Sequence, residues 1–278
     1  MQRSTIAVCV IARDEERFIG GCLESVRPFV DEIVVVDTGS LDGTTEIARA
    51  LGARIETFRW RDDFAAARNA AIETATADWI FMLDADERVE PDSGGVLRDL
   101  PPRMPIEVHG ACPRIESRTL GDANGPSSIT SEAPRFFRRS PDLRYVGAIH
   151  EDLVFLPDPA ATRNVSVHDL RVIHYGYDST VYAARGKDER NTRLLVREVA
   201  ERPGDPRPLY FLTQQHYVME RYAEAAEYAQ RFLALSDGVR EAFVVDAYAM
   251  LLHSLTELSL DADLHIQEVT SKIAAGKP

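Results

Sequence analysis

The sequence predicts an α/β domain built on a parallel sheet, followed by an α-helical region. Within residues 5–90, short β-branched runs alternate with stretches of helical spacing, as in a parallel sheet covered by helices. From about Ser179 the spacing is helical to the end. The length of 278 residues also suits about two domains. We therefore expect one domain over residues 1–178 and a helical region over residues 179–278.

The first elements follow from their apolar patterns. Residues 6–11 are almost continuously apolar, as in a strand that is buried on both faces. Residues 15–26 carry apolar side chains on one stripe and predict a helix. Residues 33–36 predict a second buried strand, which ends at the polar residue Asp37.

The same alternation continues to the fourth strand. Residues 44–51 predict a short helix, and Gly52 stands where a helix C-cap is common. Residues 54–58 predict a third strand and the alanine-rich residues 64–76 a helix. Residues 79–83 predict a fourth strand, directly followed by acidic residues.

The middle of the chain, residues 100–175, loses this alternation. Proline and glycine punctuate it, so we expect a loop-rich region with a mixed sheet. Short extended pieces are expected near residues 106–108, 135–137 and 153–155.

The C-terminal region reads as helices interrupted by proline. A helix is expected over residues 180–201, before three closely spaced prolines. The next block has the apolar spacing of one tetratricopeptide (TPR) repeat, with residues 221–225 as the turn into its second helix. The residues that fit the repeat are Leu209, Leu212, Tyr222, Ala225 and Leu235. Because a free solenoid needs about three repeats, this region should pack on the first domain or on a second subunit, as in a homodimer.

Composition excludes several classes of protein. Asp and Glu number 45 against 32 Lys and Arg, and the net charge of −13 argues against nucleic acid as a partner. No apolar stretch approaches the ~20 residues of a transmembrane segment, and the run at residues 6–12 is too short for a signal peptide. The three scattered cysteines form no CxxC pair, so we expect a cytoplasmic protein without a zinc site or disulfide framework.

Two carboxylates, Asp84 and Asp86, come directly after the fourth strand. Ligands of parallel sheets bind beyond the carboxyl ends of the strands. Carboxylates at positions i and i+2 there can turn toward one Mg²⁺ or Mn²⁺ ion, which also takes phosphate oxygens from a substrate. The alternative is a solvated acidic loop or a helix N-cap.

Asp37 ends the second strand in the same way. Its carboxylate can accept a hydrogen bond from a base imide or a ribose hydroxyl. Equally, Asp37 and Ser40 can form an Asx-type turn before the next helix.

Several ordered blocks together resemble family 2 glycosyltransferases of the GT-A fold, a Rossmann-like nucleotide-diphospho-sugar transferase fold. The strong blocks are residues 35–44, 61–71 and 78–87, together with the opening block 10–16, in which Arg13 replaces the more usual Asn. The resemblance continues more thinly through residues 134–138, 147–151 and 173–177. With its TPR-like region, the chain is similar to a bacterial subgroup that includes the sublancin S-glycosyltransferase.

The resemblance implies an activity. It implies metal-dependent, inverting transfer of a sugar from a nucleotide diphosphate, with a UDP-sugar as the first candidate and Mn²⁺ or Mg²⁺ as cofactor. The acceptor would be a hydroxyl or thiol of a small molecule, glycan or peptide. A divalent ion suits this reaction because the departing nucleotide diphosphate gains charge in the transition state.

The resemblance also implies roles for individual residues. Ala12, Asp14 and Glu15 would line the nucleotide pocket, Asp37 would face the uracil or ribose, and Arg68 would face the nucleotide. Asp84 would contact ribose or metal, and Asp86 would hold the metal.

The general base and a third metal ligand are sought further along the chain. Glu151 matches the position of the base, with His150 beside it, and a carboxylate there can take the acceptor's proton. The alternative is that both residues only shape their loop. His174 is either a third ligand for metal or diphosphate, or a satisfied core histidine.

Arg135 belongs to a cluster of arginines that has two interpretations. The cluster either clamps phosphate or an acidic acceptor, or it forms a solvated face.

Two other functions compete with sugar transfer. A nucleotidyltransferase would want a glycine-rich phosphate loop after the first strand, and residues 12–16 contain no glycine. A non-catalytic TPR scaffold that binds a partner protein would not need the acidic residues Asp37, Asp84, Asp86 and Glu151.

Overall fold

The alternating first half of the chain folds into one large sheet, and the C-terminal part folds into antiparallel helices. The computed structural model describes residues 3–118, 128–175 and 187–258. The chain divides into two units, residues 1–185 and 186–278. The expected boundary between residues 178 and 179 lies outside the described residues and stays a prediction.

The first unit contains eleven strands and four α-helices among its described residues. The strands are β1 Ile6–Ala12, β2 Glu32–Asp37, β3 Arg54–Thr57, β4 Trp79–Asp84, β5 Glu87–Val89, β6 Gly110–Arg118, β7 Ser128–Glu132, β8 Phe136–Arg138, β9 Leu143–Val146, β10 Asp152–Phe155 and β11 Asn164–His174. The helices are α1 Ile19–Val26, α2 Thr44–Ala50, α3 Phe64–Thr74 and α4 Val96–Asp99.

Nine strands form a mixed sheet in the order β3-β2-β1-β4-β8-β6-β11-β5, with β7 paired to β6. The first four of these strands are mutually parallel, and β8 joins β4 antiparallel. In register, Ala12 of β1 pairs with Asp37 of β2, and Ile11 pairs with Asp84 of β4. The carboxyl ends of the three central strands therefore meet at one edge. β9 and β10 form a separate antiparallel pair.

The two faces of the parallel strands are both covered. In β1, alternate residues face opposite sides: Ile6, Val8 and Val10 belong to the core beneath α1, whereas Ala7 and Cys9 pack toward α3. Burial on both faces explains why these strands read as continuous apolar runs.

Most expected elements of the first half are confirmed, with one shifted boundary. The helix expected from residue 15 begins at Ile19, because the backbone at Asp14 is left-handed (φ 55°) and residues 16–18 form a turn. The carbonyl of Glu15 accepts from the amides of Phe18 and Ile19 in that turn.

The middle region is mixed, as expected, but one expected extended piece is wrong. Residues 106–108 lie in a turn closed by a hydrogen bond from the Val108 amide to the Pro105 carbonyl. The neighbouring strand is β6, although it contains Pro113. That proline pairs with Val167 just where the β6–β11 register shifts, so the missing amide hydrogen falls at an irregularity of the ladder.

The second unit consists of α5 Lys187–Glu201, α6 Pro206–Val218, α7 Tyr222–Ala234 and α8 Glu241–Glu257 among its described residues. α6 and α7 form the expected helix pair, with Arg221 as the N-cap of the second helix. Tyr210 of α6 packs on Phe232 of α7, with ring centroids 5.5 Å apart. Residues 180–186 of the expected helix 180–201 lie outside the described residues. Within the described parts of the chain, no helix is long and apolar enough to cross a membrane.

Candidate active site

The loops after β1 and β2 are locked together at the carboxyl edge of the sheet. The Asp14 carboxylate accepts from the Leu41 amide at 2.7 Å, and the Asp14 amide donates to Ser40 Oγ at 3.0 Å. The Glu15 amide donates to Thr44 Oγ1 at 2.7 Å. Asp14 and Glu15 therefore give this edge a fixed shape.

Asp37 lies between these loops and the sheet. It is buried, and its carboxylate accepts from the Ser40 amide at 3.1 Å and the Gly39 amide at 3.2 Å. The expected Asx-type turn is thus present. The Ala12 carbonyl accepts from the Thr38 amide at 2.9 Å, so Ala12 and Asp37 are joined at the edge.

A chain of ion pairs lies beyond β4. Arg68, from α3, donates from Nη2 to Asp84 Oδ1 at 2.7 Å and from Nε to Glu151 Oε1. Arg135 donates from Nη2 to Asp84 Oδ2 at 2.8 Å and to Glu87 Oε1 at 3.0 Å. The predicted residues Arg68, Asp84 and Glu151 are therefore brought together, although they are far apart in the sequence.

Burial and neighbouring charge set the ionisation of this chain. Burial opposes a charged Asp84, but Arg135 and Arg68 outweigh it and hold the pKa of Asp84 well below its usual range. Burial raises the pKa of Glu87 to about 7, against the opposing effect of Arg135. The site thus keeps Asp84 ionised between two guanidinium groups.

The two arginines retain unused hydrogen-bond donors. Arg68 Nη1 and Arg135 Nε are buried and have no hydrogen-bond partner among the described residues. A buried donor without an acceptor costs free energy, so an oxygen-rich ligand at this place would satisfy it.

The loop that carries His150 and Glu151 is fastened to α3. The Phe64 amide, at the start of α3, donates to the Ala148 carbonyl at 2.8 Å. Asn69 donates to the Tyr145 carbonyl and accepts from the Tyr145 amide, both at 2.9 Å. His150 is exposed with a left-handed backbone (φ 50°), whereas the Glu151 side chain is almost buried.

His174 meets Asp86 at the other side of this edge. His174 Nε2 lies 3.4 Å from Asp86 Oδ1, and His174 Nδ1 lies 3.2 Å from Ser117 Oγ. The pairing of β5 with β11 places Glu87 opposite His174, and this brings the preceding residue, Asp86, close to His174. Burial would lower the pKa of His174, but Asp86 outweighs burial and raises it.

The donor set suits a divalent ion that also binds substrate. Among the described residues no three His, Cys, Asp or Glu side chains cluster as a ready metal site. Mg²⁺ and Mn²⁺ need no such cage, since one or two protein ligands suffice when phosphates and water complete the shell. Asp86 and His174 would supply these two ligands.

Three contributors were missed or set aside by sequence reasoning. For Arg135 the sequence leaves open a phosphate clamp or a solvated face, and it does not single out Glu87 or Asn69. The strand pattern before Asp84 could have pointed to Glu87, three residues later. The contacts of Arg135 depend on β8 pairing antiparallel with β4, for which the sequence gives no local signal.

Parallel central strands with acidic residues at their carboxyl ends, inside a mixed sheet, are the arrangement expected of the GT-A fold. The family model described as glycosyl transferase family 2 matches residues 7–154. The chain belongs to this family, and the expected fold is confirmed. Membership also favours sugar transfer over the two competing functions.

Two curated relatives are named, one for a TPR repeat and the other for glycosyl transfer. The chain is 37% identical over 208 residues to a TPR repeat-containing protein of Synechococcus elongatus, covering 72% of this chain and 49% of that one. It is 28% identical over 233 residues to the prophage-derived glycosyltransferase SunS of Bacillus subtilis, covering 82% and 53%. The chain thus spans about half the length of these relatives.

Among solved structures, a glucosyl-3-phosphoglycerate synthase of Mycobacterium tuberculosis in complex with Mg²⁺ and UDP is similar at 25% identity. The match covers 40% of this chain and 44% of that one, with a TM-score of 0.36.

Proposed function

We propose that this protein transfers a sugar, with inversion, from a nucleotide diphosphate to an acceptor hydroxyl or thiol, and that the reaction needs Mn²⁺ or Mg²⁺. One observation carries the proposal: Arg68 pairs both with Asp84 and with Glu151. Asp84 ends the strand before the loop of Asp86, here called the metal loop, whereas Glu151 belongs to a separate loop. A candidate base thus lies beside the candidate donor site, as a direct displacement requires.

The donor would lie across the carboxyl edge of β1, β2 and β4. Asp37 supports a pyrimidine nucleotide, since a carboxylate can accept a hydrogen bond from the uracil imide N–H or from a ribose hydroxyl. The loop that Asp14 and Glu15 stabilise forms the wall of this pocket. Arg68 Nη1, buried without a hydrogen-bond partner among the described residues, would donate to an oxygen of the nucleotide.

Asp86 and His174 would hold the cation. When bound, the ion would neutralise the charge that develops on the departing diphosphate. Asp86 would supply a hard oxygen ligand, and His174 would supply a nitrogen ligand once it is deprotonated. Chelation or low pH should therefore weaken nucleotide binding.

Glu151 would accept the acceptor's proton as the oxygen or sulfur attacks the sugar carbon. Its near-complete burial shelters it from bulk water, and Arg68 fixes one of its oxygens. His150 lies next to it in an exposed position, where it would contact the acceptor.

The acceptor would be a small molecule, a glycan or a peptide, and the helical region would provide the contacts of a homodimer. A reducing, cytoplasmic setting is proposed from the sequence, in which the three scattered cysteines form no CxxC pair.

The test is a hydrolysis screen of nucleotide sugars with Mn²⁺ and no added acceptor. We expect release of free sugar from one UDP-sugar, and no release when a chelator is added. If no nucleotide sugar is hydrolysed and none is bound, the proposal is wrong.

The base of the nucleotide is tested separately by calorimetry with Mn²⁺. UDP is expected to bind more tightly than GDP, on the basis of Asp37 together with the family resemblance, since guanine also offers N–H donors to a carboxylate. Tighter binding of GDP would contradict this choice of donor.

A further inference from the structure

Both carboxylate oxygens of Asp84 are already engaged. Oδ1 accepts from Arg68 at 2.7 Å, and Oδ2 accepts from Arg135 at 2.8 Å. Each oxygen keeps a further lone pair, but a cation bound there would lie against two guanidinium groups, whose positive charges oppose it. Since the two arginines are themselves almost buried, breaking either pair would leave a buried charge without its partner.

The Asp84 backbone is held as firmly as its side chain. Its amide donates to Glu87 Oε2 at 2.9 Å, while Glu87 Oε1 accepts from Arg135 at 3.0 Å. Glu87 and Arg135 therefore close a ring of hydrogen bonds around Asp84. A residue fixed from both sides is suited to hold another group in place.

The group that Asp84 holds is Arg68, whose Nε continues to Glu151 Oε1. The guanidinium is planar and rigid, so fixing Nη2 on Asp84 also fixes where Nε points. The side chains of Arg68 and Glu151 are only 8% and 10% exposed, so water competes little with this ion pair.

We propose that Asp84 serves the reaction as a positioning residue, which orients Glu151 through Arg68, and that it does not ligate the cation. The inference rests on the proposed function, because it takes Glu151 as the base. With Oε1 held by Arg68, Glu151 Oε2 is the oxygen that receives the acceptor's proton. The metal loop and the base are thereby joined by one side chain of α3.

The first experiment measures binding, without catalysis. Calorimetry with UDP and MnCl₂ compares the parent with Asp84→Asn and Asp86→Asn. Asp84→Asn should bind UDP with Mn²⁺ within about threefold of the parent, whereas Asp86→Asn should lose the Mn²⁺-dependent gain.

A matched control is available in Asp31→Asn. Asp31 also accepts from two arginines, Arg3 and Arg98, and it lies at the opposite edge of the sheet, where it accepts from the Ile6 amide. This variant should bind UDP and hydrolyse the donor as the parent does.

The second experiment is a double-mutant cycle. Single-turnover hydrolysis of the best UDP-sugar is measured at saturating donor and Mn²⁺. Asp84→Asn and Glu151→Gln should each slow hydrolysis by roughly 10²-fold or more, and the double variant should be no slower than Glu151→Gln alone. Arg68→Lys keeps the positive charge but loses the planar guanidinium that can bond two carboxylates at once. If Asp84→Asn folds poorly, Arg68→Lys takes its place in the cycle, and its loss of rate should likewise not add to that of Glu151→Gln.

The outcomes separate the two proposals. If Asp84→Asn loses Mn²⁺-dependent UDP binding, or if the two losses multiply, Asp84 acts independently of the base and the inference is wrong while the proposed function stands. If Glu151→Gln hydrolyses at the parent rate, the proposed base is wrong, and the inference fails with it.

Discussion

At the scale of single residues, three neighbouring acidic side chains have different partners. Asp84 pairs with two arginines, and Asp86 lies beside His174. Glu87 is buried and accepts from Arg135 and from the Asp84 amide. We expect Asp86→Ala to abolish Mn²⁺-dependent UDP binding and to slow transfer at least ~100-fold, because losing one charged ligand costs several kcal/mol of transition-state stabilisation. Calorimetry and single-turnover kinetics with and without chelator measure both effects.

Glu90→Gln is a suitable control for Asp86→Ala, since Glu90 pairs with Arg171 on the far side of β5. It should leave metal-dependent binding unchanged. Undiminished turnover of Asp86→Ala in the presence of chelator would contradict the metal role.

Glu151 allows a test that also reports on the acceptor. Glu151→Gln keeps size and hydrogen bonding but cannot take a proton, so donor binding should survive and transfer to a hydroxyl should fall by ~10²–10⁴. Transfer to a thiol should fall less, because a thiolate is already nucleophilic. Single-turnover transfer, with donor binding measured separately, distinguishes these cases.

His150→Ala is the companion variant. It should retain most activity, since His150 is exposed while Glu151 is sheltered beside Arg68. A parent-like rate in Glu151→Gln together with loss in His150→Ala would move the base to His150.

Sequence reasoning located residues that directly follow a strong pattern. Asp84 and Asp86 could be placed because a buried strand precedes them, and Asp37 for the same reason. The partners of Asp84 could not be predicted, because Arg68 and Arg135 reach it from a helix and from an antiparallel strand whose positions depend on the whole sheet.

At the scale of elements, ion pairs of Asp31 stabilise the amino ends of the strands. Burial opposes ionisation of Asp31, but hydrogen bonds from Arg98 and the Ile6 amide outweigh it and lower its pKa to about 2. A lowered pKa in the folded protein stabilises the fold above the ordinary range near pH 4, and this contribution disappears as the pH falls toward 2.

Asp31→Asn should therefore lower the free energy of unfolding by about 1 kcal/mol at pH 6, an amount reduced by solvent because the side chain is partly exposed. The expected drop in Tm is about 2–4 °C. Thermal unfolding between pH 2 and pH 6 should show the two proteins converging at the acid end. A difference that persists unchanged at pH 2 would contradict the electrostatic cause.

The strands were predictable where both of their faces are buried. The four parallel strands have both faces covered, so their apolar runs were sufficient. β11 and β7 are largely exposed along their length, and their residues show no continuous apolar run. β6 could not be predicted as a strand because it contains Pro113, and a proline normally argues against a strand inside a sheet.

At the scale of the whole molecule, the helical region is expected to be structural. One recognisable repeat is too few for a free solenoid, so its apolar surface must be covered by other parts of the protein or a second copy. Truncation at about Thr180, a position outside the described residues, should give aggregated protein. Light scattering and gel filtration measure this, and a truncated protein that stays monomeric and active would contradict the expectation.

The division of the chain into a sheet domain and a helical region could be foreseen from the change in periodicity alone. The position of the last strand could not. β11 lies between β6 and β5, and it pairs with residues far earlier in the chain, a non-local arrangement that no window of sequence reveals.

That placement of β11 bears on when the proposed ion site would form during folding. β1 to β4 need only contacts within residues 6–84, whereas Asp86 meets His174 only after β5 has paired with β11. Loop closure over so long a separation is slow compared with local pairing. During refolding, affinity for the nucleoside should therefore return before affinity for the metal. Molecules that bind the metal would then be those in which β5 has already paired with β11.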